Sequence, residues 1–154
     1  MTTWSERAVA VQADGVRSPV SLAKLEDLAC RVLGALRVPR AMLSVTLVSA
    51  RTIARLNRAH LGHRGPTDVI TFTLNAGPDD AVVADIYICP DVARRQAHAH
   101  GVGVREEVAR LVVHGTLHAS GWEHPLDATR TMSPMWRRQE QLLHRFWIAP
   151  SAHG

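Results

Sequence analysis

The chain has 154 residues, 46% of them hydrophobic and 21% charged. This balance excludes a disordered chain and predicts one domain over residues 1–154 with one core. No apolar run approaches the ~20 residues of a membrane helix, and the opening MTTWSERAVA has no basic segment followed by an apolar one. Neither a membrane helix nor a secretory signal is expected, and the cytoplasm is the expected compartment. The formal charge is +4, carried almost wholly by arginine, with Lys24 the only lysine. Arginine's planar fork suits phosphate, but a compositional bias that also enriches alanine gives the same charge, so the charge alone is a weak pointer to an anionic partner.

In chain order, residues 7–13 read as a short strand. Residues 20–36 carry Leu22, Leu25, Leu28, Ala29, Val32, Leu33 and Leu36 at a helical period, with Ser18 and Pro19 suited to the helix start. A strand is expected at 42–48 and a helix at 50–61, followed by the loop GHRGP. Residues 67–74 (TDVITFTL) alternate and are rich in β-branched side chains, and 82–88 (VVADIYI) would pair with them across a turn at NAGPDD. Pro90 and Asp91 open a helix to about His100, and Gly101 and Gly103 break it. Helices are expected over 104–120 and 132–147. The sum is an α+β fold with a small mixed sheet of about four strands, its C-terminal half helical. Cys30 and Cys89 are isolated from each other and read as small buried hydrophobes rather than a disulfide or a metal motif.

The informative stretch is LVVHGTLHASGWEHP, 111–125. His114 and His118 are four apart on a helix, so their rings share a face. Gly121 can end that helix in a left-handed turn and bring His124 back to the same point. Three imidazoles with an open fourth position describe a catalytic zinc site, one ion per chain, on a C-terminal helix as in zincins. His98, His100, His144 and His153 read as solvated. The spacing equals that of the metzincin proteases, whose base is a glutamate beside the first histidine. Here that position is Gly115, which cannot take a proton. Glu123 is the nearest carboxylate for the role, and otherwise an exposed loop residue or an outer partner of an imidazole.

HGTLHASGWEH, from His114 to His124, resembles the signature H-G-x-L-H-x-x-G-[YH]-D-H of the YbeY family of bacterial ribosomal RNA maturation nucleases. Leu56-Asn57 followed after eight residues by PTDVITF (66–72) resembles the family's L-N-x8-P-T-[DN]-V-L-S-F. ADIYIC (84–89) is similar to its G-D-I-x-I strand, and Glu107 and the Met132/Met135 to Glu140 segment also fall where the family has similar residues. The resemblance spans about residues 40 to 148. It implies a zinc-dependent endoribonuclease acting on single-stranded RNA, maturing the 3′ end of small-subunit (16S) ribosomal RNA and helping dispose of defective ribosomes. The small ribosomal subunit is then a partner, and His114, His118 and His124 the zinc ligands.

The chain also departs from the family. Where the family has Tyr-Arg after L-N, with the arginine assisting cleavage, this sequence has His60 and Leu61. Arg58 and Arg64 are the nearby replacements, and Arg64, in the loop before Pro66, is the preferred one. The rival readings are a zinc peptidase, opposed by Gly115, and a ribosome-assembly factor that uses zinc only to tie its C-terminal helices together, favoured by Leu61.

Overall fold

The computed structural model describes residues 6–74 and 81–150. The chain runs β1 (Glu6–Ala13), α1 (Leu22–Ala35), β2 (Arg40–Leu47), α2 (Ala50–Leu56), β3 (Val69–Leu74), β4 (Val82–Ile88), α3 (Pro90–His100), α4 (Val104–Ala119) and α5 (Pro134–Leu143). The four strands form one sheet in the order β1-β2-β4-β3. β1, β2 and β4 run parallel, and β3 is antiparallel to β4 at the edge. The expected small mixed sheet and the pairing of 67–74 with 82–88 are both present. The turn expected at 75–80 lies outside the described residues, as does His153.

One face of the middle strands is continuously apolar because the helices cover it, while the other is partly open, with Met42 exposed. Leu43, Val45, Leu47, Ile86 and Ile88 are all buried. Helix α4 is the axis of the molecule, packed against α1, α3, α5 and the β3–β4 pair. Its buried residues run almost continuously from Val108 to Ala119 and include Gly115. That glycine sets the distance between helix and sheet: a Cβ there would stand 2.8 Å from the Cγ2 of Ile86.

Several boundaries differ from the sequence reading. Helix α1 starts at Leu22 and is capped by Ser21, whose side chain accepts from the Lys24 N–H. Ser18 instead turns its hydroxyl onto the Val20 backbone. The helix expected over 50–61 is α2 continued by a wider π turn, Asn57–Leu61, which ends at Gly62 with φ +69°. β3 begins at Val69 rather than residue 67, because Asp68 accepts the Val69 N–H on its own side chain. The last helix starts later than residue 132: a 3-10 turn, Ala128–Met132, precedes it, and Ser133 caps α5 through the Trp136 N–H with Pro134 in the first turn. Cys89 is buried, Cys30 half-buried, and both are free thiols.

Candidate metal centre

The end of α4 builds the site. His114 and His118 sit one turn apart on it. The helix closes when the Gly121 N–H donates to the His118 carbonyl and the Trp122 N–H to the Leu117 carbonyl, each 3.0 Å. This pair of reversed bonds needs a positive φ at the residue after the cap, and Gly121 supplies +100°. The chain then doubles back and delivers His124. The three ring centroids lie 4.7, 4.9 and 5.1 Å apart, with their ligand nitrogens all within 4.8 Å of one another.

Burial makes these rings good ligands. Desolvation lowers the pKa of His114, outweighing the hydrogen bond to Gln139. Desolvation, together with the neighbouring rings of His114 and His124, lowers His118 to about 4. Both are therefore neutral near pH 7, with lone pairs available. His114 Nδ1 is bonded to Gln139 Oε1 at 2.6 Å and His124 Nδ1 to the Pro125 carbonyl at 2.7 Å, which leaves Nε2 free on each. A tetrahedral ion with bonds of ~2.0–2.1 Å needs nitrogens about 3.3 Å apart. The three ligand nitrogens, already within 4.8 Å of one another, are grouped closely enough to share one ion, and three neutral imidazoles are a donor set that suits a transition ion.

The triad forms part of the wall of a cleft of about 760 Å³. β3 contributes Val69, Ile70, Thr71 and Thr73 to the walls, and the segment after α4 contributes Trp122, Glu123, Leu126 and Arg130. A family model described as Endoribonuclease YbeY matches residues 14–147. The chain belongs to the YbeY family. An Endoribonuclease YbeY of Frankia casuarinae is 38% identical over 149 residues, covering 88% of this chain and 73% of that protein. One from Frankia alni is 36% identical over 160 residues, covering 96% and 87%. The solution structure of TM1509 from Thermotoga maritima superposes with a TM-score of 0.61 at 25% identity, covering 90% of this chain and 89% of that one.

The remaining site residues divide by position. Glu123 lines the cleft and is exposed, and among the described residues no imidazole is hydrogen-bonded to it. Leu61 also lines the cleft and is 49% exposed. Arg64 and Arg58 are exposed, and neither lines the cleft. His98, His100 and His144 are exposed as expected, though His100 reaches the cleft wall.

Four contributors escaped the sequence reading. Arg130 lines the cleft in the segment between His124 and α5, and nothing in its sequence neighbourhood signals that. Asp68 lines it too, with Oδ1 held by the Val69 N–H at 2.8 Å and the Thr67 hydroxyl at 3.3 Å. Gln139 is 1% exposed and contacts His114 directly. Arg110 pairs with Glu106, Glu107 and Glu140 at 2.8 to 2.9 Å. Gln139 did leave a trace: it interrupts the apolar stripe of Met135, Leu142 and Leu143 on the buried face of α5.

Proposed function

We propose that this chain, acting as a single domain, is a zinc-dependent, single-strand-specific endoribonuclease. Its proposed tasks are maturing the 3′ end of small-subunit (16S) ribosomal RNA and taking part in ribosome quality control, in the cytoplasm and on the small ribosomal subunit. The observation that carries this reading is the convergence of His114, His118 and His124 on the wall of a wide cleft, in a chain of the YbeY family.

A zinc ion on these imidazoles supplies Lewis-acid polarisation of a phosphoryl oxygen and acidifies water. The protein supplies the rest. The three rings of His114, His118 and His124 would hold the ion at the cleft wall. Arg130, whose guanidinium makes no ion pair among the described residues, offers a fork for phosphate beside the triad. Arg110 lines the same cleft, but three carboxylates occupy it. Arg64 is left to contact flanking RNA from the loop before Pro66. Asp68 and Glu123 are the cleft carboxylates placed to take a proton from the attacking hydroxyl, whether of water or of the RNA 2′-OH. Asp68 is the better held of the two, through its Oδ1 bonds. Binding through arginine and phosphate should weaken steeply as salt rises.

One observation favours the second reading, an assembly factor without catalysis: the family's arginine position presents Leu61 to the cleft. A peptidase is disfavoured by packing as well as chemistry, since Ile86 occupies the space a glutamate at Gly115 would need. The deciding experiment is cleavage of a single-stranded RNA carrying a precursor small-subunit 3′ end, with bound zinc measured in each protein. The nuclease reading expects cutting by wild type, loss of both zinc and cutting in His114→Ala, and zinc with poor cutting in Arg130→Ala. A zinc-loaded wild type that cuts no RNA gives the assembly-factor reading precedence.

A further inference from the structure

The Gln139 amide stands between an imidazole and a carboxylate, and the carboxylate determines which way round it sits. Gln139 Nε2 donates to Glu140 Oε2 at 3.0 Å. A carboxylate in an ion pair can only accept, so the nitrogen end of the amide must face it. The oxygen end then faces His114, where Oε1 lies 2.6 Å from Nδ1. An amide oxygen accepts and does not donate, so the proton sits on Nδ1 and the lone pair on Nε2. Reversing the amide would set its oxygen against the carboxylate, acceptor against acceptor, and would let His114 carry its proton on Nε2 instead. Gln139 is only 1% exposed, so water could not repair the clash with the carboxylate.

Glu140 is held in turn by Arg110. Arg110 Nε donates to Glu140 Oε2 at 2.9 Å and Nη2 to Oε1 at 3.1 Å, a two-pronged contact from α4 to α5. Arg110 also donates to Glu107 at 2.8 Å and to Glu106 at 2.9 Å. The Arg110 side chain is 15% exposed. We infer that Gln139 is a positioning residue that selects the metal-ready tautomer of His114, and that the Arg110–Glu140 pair sets the orientation of Gln139. The inference rests on the metal reading of the triad.

The test uses the full chain, free of metal, with histidine labelled with 15N. The His114 ring signals should report a proton on Nδ1 in wild type. In Gln139→Leu they should shift toward the Nε2–H tautomer. Zinc affinity by chelator competition should fall about ten- to a hundredfold while the circular-dichroism spectrum is kept. Glu140→Gln, which touches no imidazole, should move both readouts in the same direction and serves if Gln139→Leu does not fold. Wild-type His114 protonated at Nε2, or unchanged ring signals and zinc affinity in both variants, would overturn the inference. The tautomer signals need no metal, so a wild type that binds no zinc yet carries the proton on Nδ1 upholds the relay and removes the metal reading instead.

Discussion

Gly115 and Ile86 touch so closely that a methyl group on the glycine would stand 2.8 Å from Cγ2 and 3.1 Å from Cδ1 of the isoleucine. Ile86 is fully buried in β4 and has little room to yield. Gly115→Ala should therefore destabilise the fold despite better helix propensity. Overpacking costs ~1–3 kcal/mol and the alanine returns about 1 kcal/mol. Urea denaturation of the metal-free protein measures the balance, and a midpoint at or above that of wild type would contradict it. Gly115→Glu, the change that would install a protease-like base, should not give a folded protein.

Metal should stabilise the native state by mass action. Free zinc at a hundred times its dissociation constant adds about 2.7 kcal/mol. Thermal melts in zinc and in chelator should differ by several degrees for wild type, whereas His118→Ala should melt alike in both. An equal zinc response in the variant would place the ion elsewhere.

On the proposed nuclease reading an arginine at the cleft wall assists cleavage, and Leu61 offers none at its position. Leu61→Arg should raise the rate of RNA cleavage, because the side chain already lines the cleft and is half exposed. Arg130→Ala should lower kcat/KM about ten- to a hundredfold, the worth of one charge-assisted contact to phosphate. Arg64→Ala should have a smaller effect and act mainly on KM. Cleavage kinetics on one single-stranded RNA, at fixed salt, rank the three.

Acid should weaken the metal-free fold through the triad. His118 is lowered to about 4 by burial and by His114 and His124, against about 6.5 in an unfolded chain. Between those values the unfolded state binds the proton and the folded state does not. Stability therefore falls as pH drops from about 6.5 toward 4, and this contribution is flat above that window. His114, lowered chiefly by burial, adds in the same direction. Urea midpoints at pH 7 and pH 5 in chelator should differ more for wild type than for His118→Gln. Equal differences would show that His118 titrates normally.

The clustering of the three histidines was legible because the information is local. A helical period brings His114 and His118 together, a glycine with positive φ turns the chain, and His124 follows at once. The strands were legible for a related reason: alternation and β-branching mark β3 and β4, and a short connection makes them partners. What was missed is long-range. Gln139 lies 25 residues from His114, and Glu140 30 from Arg110. Only the packing of α5 on α4 joins them. Asp68 is another kind of miss: it ends a strand by taking over a backbone N–H, and residue type alone does not separate that from strand membership. The start of α1 went to Ser18 and Pro19 rather than Ser21 because several residues there can cap and the sequence does not rank them.

His124 comes after the Gly121 turn, whereas His114 and His118 come before it. An ion held by all three is thus a clasp between the end of α4 and the strap of chain that carries Glu123, Leu126 and Arg130 along the cleft. On the proposed reading, whatever grips that strap from the cleft side shares it with the ion, and each occupant changes the other's hold by the same factor. If the ion steadies the strap for RNA, scarcity of metal would loosen the grip on substrate as well, and a protein engaged on RNA would be the last to surrender its ion.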